Sequence, residues 1–143
     1  MKNPFHIAVT VRDIAEARHF YGEQLGFAEG RSSNEWIDFD MFGHQFVVHL
    51  DPTLGPTGRV RQWTNPVDGK AVPVPHCGVV MELQQWEDFR NRINEFITDF
   101  VIEPHTRFSG ESGEQRTMFF LDPSGNALEF KAFRNIEEQL FKQ

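Results

Sequence analysis

Short runs of alternating apolar and polar residues recur along the chain, and they fall into two sets. Phe5-His6-Ile7-Ala8-Val9-Thr10-Val11 reads as a strand. Asp13 can cap the helix that follows, with Glu16 three residues later completing a capping box. Ile14, Ala17, Tyr21 and Leu25 then recur at helical spacing, and Gly26 stops the helix. Three strand-like runs follow, over about 27–33, 35–41 and 44–50. A second set opens with the strand-like Pro75-His76-Cys77-Gly78-Val79-Val80. Trp86, Phe89, Ile93, Phe96 and Phe100 form a helical stripe bounded by Pro104, and runs near 100–107, 115–121 and 126–132 complete the set. Residues 52–74, with four prolines and three glycines, read as a linker, and Asn135–Phe141 as a short C-terminal helix.

Each set therefore reads β-α-β-β-β, and the two match on shifting the sequence along itself. His6-Ile7-Ala8-Val9 meets His76-Cys77-Gly78-Val79 at an offset of 70. Asp40-Met41-Phe42-Gly43 meets Asp122-Pro123-Ser124-Gly125 at an offset of 82, so about a dozen extra residues lie inside the second set. Both D-x-x-G segments join strand-like runs, as hairpin turns do. The expectation is a single α+β domain over 1–143 with mixed sheets. It comprises module one at 1–51, the linker at 52–74, module two at 75–133 and the C-terminal helix at 134–143.

Strand parity then selects residues. His6 and His76 occupy the same place in the first strand of each module. Val47 and Glu129 each lie four residues beyond a turn glycine. A pseudo-twofold arrangement would bring positions 6, 76, 47 and 129 together. Two imidazoles and one carboxylate are the ligand set of a facial metal triad with open positions, which suits Fe(II) and its neighbours. Glu129, flanked by Leu128 and Phe130, would be costly to bury without a cation.

Composition narrows the function classes. The chain has 143 residues, 39% hydrophobic with 15 Phe and 3 Trp, which is enough for one core. A net charge of −7 argues against nucleic acid or an anionic membrane as partner. No apolar run approaches the ~20 residues that span a bilayer, and no signal peptide is visible. Cys77 is the only cysteine, so no intrachain disulfide forms and a cytoplasmic protein is expected. Cys77 has the opposite parity to His76 and reads as a small core residue.

With these residues in view, the chain resembles the vicinal oxygen chelate superfamily, which includes glyoxalase I, extradiol dioxygenases, fosfomycin-resistance proteins and bleomycin-binding proteins. The resemblance rests on Phe5-His6-Ile7-Ala8-Val9, Ala17-Arg18-His19-Phe20-Tyr21 leading to Leu25-Gly26-Phe27, Pro75-His76, and Phe119 through Phe130. It implies paired βαβββ modules whose curved sheets surround a metal cavity. It also implies His6, His76 and Glu129 as ligands. Glyoxalase I enzymes usually add a fourth ligand from the strand where Val47 stands, whereas extradiol dioxygenases do without it. On ligand count the chain looks more like a dioxygenase. Extradiol enzymes often carry a tyrosine ten residues before the glutamate, where this chain has Phe119. The resemblance alone suggests a homodimer.

Other residues join the candidate site. His49 follows Val47 by two and shares its face, one pleat repeat or roughly 6–7 Å further on. It reads as a cavity acid/base, or as a fourth ligand after a bulge. His105 is a second acid/base candidate. His44 and His19 read as solvated. Trp36, Val47, Arg107 and Phe119 are expected to meet the substrate, and the glycine-containing loop 109–113 has the composition of a lid. Three functions follow. The first is a dioxygenase using Fe(II), with Mn as the alternative metal, acting on a diol or catechol-like small molecule. The second is a glyoxalase-type lyase or isomerase using Zn, Ni or Co. The third is a small-molecule binding protein.

Overall fold

Both β-α-β-β-β sets form in a computed structural model of the chain, which describes residues 3–111 and 113–143. The first set is β1 (His6–Val11), α1 (Ile14–Ala17), a π-helical stretch Arg18–Gln24, β2 (Ala28–Ser32), β3 (Trp36–Met41) and β4 (His44–Leu50). Asp13 caps α1 by accepting from the Glu16 N–H at 2.7 Å. Glu16 does not complete a capping box, because its carboxylate pairs with Arg12 at 2.8 Å instead. The sheet order is β1-β4-β3-β2, with β1 parallel to β4. One face, carrying Ile37, Phe39, Phe46 and Val48, is buried with Tyr21 and Phe20 of the helical segment.

Between the sets lies a short 3-10 turn, Pro52–Leu54, and a two-stranded hairpin, β5 (Trp63–Val67) and β6 (Lys70–Val74). The segment expected to be a linker is thus partly ordered sheet. Its turn is Asp68-Gly69, both with positive φ (49° and 77°), the geometry that an Asp-Gly pair favours in a two-residue hairpin loop.

The second set runs β7 (His76–Cys77), β8 (Val80–Glu82), α2 (Leu83–Ile93), β9 (Phe100–Arg107), β10 (Gln115–Leu121) and β11 (Ala127–Phe133), followed by α3 (Ile136–Gln139). Its order, β7-β11-β10-β9 with β8 also on β11, repeats that of the first sheet. The helical stripe stops short of the expected length. Phe96 is exposed and Phe100 opens β9, so only Trp86, Phe89 and Ile93 face the core from α2. Trp86 donates its indole N–H to the Phe130 carbonyl at 2.9 Å, which lets a fully buried Trp keep its polar atom paired. Burying each such side chain contributes roughly 1.5–3 kcal/mol.

The contacts divide into two units. One holds the chain up to Gln62 together with the turn Asp122–Asn126, and the other holds Trp63–Leu121 and Ala127–Gln143. Among the described residues no helix is long and apolar enough to cross a membrane.

Candidate metal and substrate site

In the first unit, the parallel ladder sets His6 beside Gln45, Ala8 beside Val47 and Thr10 beside His49. The antiparallel neighbour adds Trp36 opposite His49 and Asp38 opposite Val47. Side chains of these residues share the sheet face opposite the aromatic core. His6 Nδ1 lies 2.7 Å from Gln45 Oε1, and Gln45 Nε2 lies 3.3 Å from Asp38 Oδ2. Because the amide nitrogen donates to Asp38, its oxygen is left to accept from the His6 Nδ1–H. That tautomer leaves Nε2 with its lone pair free for a ligand. Val47 is buried, at 4% exposure, and offers no donor atom. His49 is exposed on the same face, one residue pair beyond Val47 as expected. Trp36 is half-buried, with the Arg31 guanidinium 5.7 Å from its ring centre. His44 accepts from the Phe5 N–H at 2.7 Å and is not part of this face.

In the second unit, His76 Nδ1 lies 2.7 Å from the Pro73 carbonyl, which again fixes a tautomer with Nε2 free. The Phe119 ring meets His76 edge-on, with centroids 4.9 Å apart. Phe119 is completely buried, so it supports the histidine instead of lining the open space. Glu129, with its side chain 12% exposed, lies 3.1 Å from Lys131 Nζ. His76, His105, Arg107, Thr117, Glu129 and Lys131 line one cavity of about 230 Å³, and Ile102 and the β5–β6 hairpin supply the rest of its wall. Arg107 ties the hairpin tip to β9 through an ion pair with Asp68. Ser112 of the expected lid lies outside the described residues. Glu114 beside that loop accepts from the Gly110 N–H at 3.1 Å, a bond that, with the nearby Arg134, holds its carboxyl below the usual range.

The two strands beneath His76 and Glu129 approach unusually closely. A Cβ on Gly78 would fall 1.6 Å from the Glu129 carbonyl oxygen, so only glycine fits there.

The structure thus brings His76, Glu129, His105 and Arg107 of the sequence-based set to one cavity of the second unit. It places His6, Val47, His49 and Trp36 on one face of the first unit's sheet. Among the described residues, no three His, Cys, Asp or Glu side chains are gathered as a metal site. The donor chemistry nevertheless fits a divalent ion. Each histidine commits Nδ1 to an oxygen acceptor, the arrangement that orients metal-binding imidazoles, and Glu129 is a carboxylate donor that a metal would take over from Lys131. Lys131, Thr117, Asp68 and Gln45 escaped the sequence reading. Asp68-Gly69 is a hairpin signal, and Lys131 follows Glu129 by two and so shares its face.

A family model described as the Glyoxalase/Bleomycin resistance protein/Dioxygenase superfamily matches residues 4–130. Among solved structures, the chain is similar to a glyoxalase/bleomycin resistance protein/dioxygenase from Alicyclobacillus acidocaldarius at 28% identity, covering 96% of each chain with a TM-score of 0.74. The fosfomycin resistance protein FosX of Listeria monocytogenes shares the fold at 17% identity and a TM-score of 0.68, over 97% of this chain and 98% of that one. A glyoxalase/dioxygenase from Nostoc punctiforme does so at 22% and 0.64, over 92% and 90%. None of the curated proteins compared with the chain matches it.

Proposed function

Because the chain belongs to the glyoxalase/bleomycin resistance protein/dioxygenase superfamily, we propose that it is a metal-dependent dioxygenase acting on a small diol or catechol-like substrate. His6, His76 and Glu129 hold one divalent ion, with Fe(II) the first candidate. The observation that carries this reading is Val47. It stands at the register position that Glu129 holds in the other unit, buried and without a donor atom. The donor set therefore stops at three, and a three-ligand site keeps positions open for substrate and dioxygen. When bound, such an ion supplies Lewis acidity and one-electron chemistry.

The chain's own residues do the rest. Gln45 and the Pro73 carbonyl hold the two imidazoles in the ligating tautomer. Phe119 packs against the ring of His76, with centroids 4.9 Å apart, and steadies its orientation. His105 has Nδ1 3.0 Å from the Glu103 carbonyl, which leaves Nε2 in the cavity to take a proton from a substrate hydroxyl. One observation favours a glyoxalase-type lyase as the second reading. His49 shares Val47's face and, after a shift of one pleat repeat, would supply a fourth ligand.

Anaerobic purification with metal analysis, followed by oxygen uptake on a panel of catechols, tests the proposal. The expected result is bound iron and diol-dependent oxygen consumption, with both lost in His6→Ala and in Glu129→Gln. Full metal retention by His6→Ala would sink the triad. Iron without oxygen uptake, together with tenfold or greater metal loss in His49→Ala, would replace the dioxygenase with the lyase.

A further inference from the structure

The cavity of the second unit holds a group of polar side chains that the proposed triad does not use. The chain as a whole is acidic, at −7. This cavity instead has Lys70, Arg107 and Lys131 against only Asp68 and Glu129 in its wall. The ladder arranges part of the set in a row across three strands, since Thr117 of β10 pairs with Lys131 of β11 on one side and with His105 of β9 on the other. With strands about 4.8 Å apart, the row spans on the order of 10 Å on a single face. At its centre, Thr117 is only 3% exposed, and among the described residues its Oγ1 has no hydrogen-bond partner. A buried hydroxyl is normally paired, and this one lines the cavity.

We infer that this row seats an oxyanion of the substrate, a carboxylate or phosphate-type group, with the Thr117 hydroxyl donating to it and Lys131 and Arg107 supplying the charge. Arg107 is suited to this, because its ion pair with Asp68 engages only part of a fork of five N–H donors. Lys131 Nζ already lies 3.1 Å from Glu129, so an oxyanion at Thr117 would share the ammonium, with its three donors, with that carboxylate. A cavity of about 230 Å³ suits a ligand of one ring. The inference rests on the proposed reading that this cavity is the substrate site, and it narrows the substrate to a diol that also carries an acid group.

Calorimetric titration of the chelator-treated protein with benzoate, phenylphosphonate and neutral benzamide tests it without any turnover. Benzoate or phenylphosphonate is expected to bind at least about tenfold more tightly than benzamide, and whichever binds better names the oxyanion. Thr117→Val should lose about tenfold in that affinity, the factor of one hydrogen bond to a charged group. Its melting temperature should stay unchanged or rise, since an unpaired buried hydroxyl is removed. Arg107→Gln should lose a similar factor. Equal binding of benzamide and the oxyanions, or unaltered oxyanion affinity in Thr117→Val, overturns the inference. Two further outcomes separate it from the proposed function. Oxyanion binding by a protein that never retains metal leaves the inference standing and removes the metalloenzyme. Oxygen uptake on neutral catechols as fast as on their carboxylated analogues keeps the metalloenzyme and removes the inference.

Discussion

The first strands of the two units obey one pairing rule but diverge where Ala8 of one corresponds to Gly78 of the other. His6 pairs with Gln45 and His76 with Ala127, so the spacing between partners grows from 39 to 51 by the dozen residues inserted in the second unit. In the first unit the strand runs unbroken from His6 to Val11, and Ala8 sits opposite Val47. In the second, the ladder stops after Cys77 and resumes at Val80 in the same register. Gly78 occupies the gap, at the place of Ala8, and its backbone presses against the carbonyl of Glu129. The unit with the carboxylate has given up regular pairing beside it, while the unit with valine has kept it. A bent, close-packed backbone accompanies the chemical residue, and the regular ladder accompanies the apolar one.

Exchanging these two small residues breaks the comparison most sharply. Gly78→Ala forces a Cβ into a backbone oxygen that cannot rotate away, and is expected to cost at least about 3 kcal/mol. Ala8→Gly only adds backbone freedom to a regular strand and should cost about 0.5–1 kcal/mol. Urea denaturation of both variants gives the ratio. Equal losses would mean that the close approach at Glu129 is not a constraint.

Much of this was legible before any coordinates. The offsets of 70 and 82 predict the observed registers, because a repeat in sequence is a repeat of strand pairing. Period-two alternation placed β3, β4, β9 and β10 almost residue for residue. Two kinds of feature were not legible. The β5–β6 hairpin was hidden by its composition, since Pro66 and Pro73 read as linker although a two-stranded ribbon tolerates proline along its open edges. The support of His6 and His76 was hidden because each acceptor, Gln45 Oε1 and the Pro73 carbonyl, lies where only the folded ladder or turn brings it. Phe119 shows the converse. It was expected to meet the substrate, but its place ten residues before Glu129 does not say whether a side chain lines a cavity or, as here, is completely buried against His76.

The two D-x-x-G turns give the next contrast. Asp40 is exposed and accepts one turn bond, from the Gly43 N–H at 2.6 Å. Asp122 is 1% exposed and accepts from the Tyr21 hydroxyl at 2.6 Å, the Asn126 N–H at 2.8 Å and the Asn126 side chain at 2.9 Å. Asp122→Ala strands those buried donors and should cost about 3 kcal/mol, against about 0.5–1 kcal/mol for Asp40→Ala. Burial pushes the Asp122 carboxyl above its ordinary value, and the Tyr21 and Asn126 bonds only partly offset this. A carboxyl with a raised native pKa binds its proton more tightly folded than unfolded. Its contribution is therefore greatest below the unfolded value, about 3.9, and is lost as pH rises through the native value. Asp122→Asn should flatten that part of the stability–pH curve, while Asp40→Asn should leave it as it is.

The smallest expected effect concerns how each histidine is held. His76 leans on a backbone carbonyl, which no side-chain substitution removes, whereas His6 leans on a side-chain amide that is itself oriented by Asp38. Gln45→Leu keeps the side chain's bulk and removes the acceptor. It is expected to weaken metal retention about tenfold, or about 1.4 kcal/mol, with little change in stability because the site is exposed. Asp38→Asn should do less, since it loosens Gln45 without deleting the bond to His6. Metal affinity measured by competition with a chelator reads both. If Gln45→Leu retains metal as the unaltered chain does, then the Nδ1 bond of His6 is not what prepares it as a ligand, and the symmetry between the two imidazoles is one of position alone.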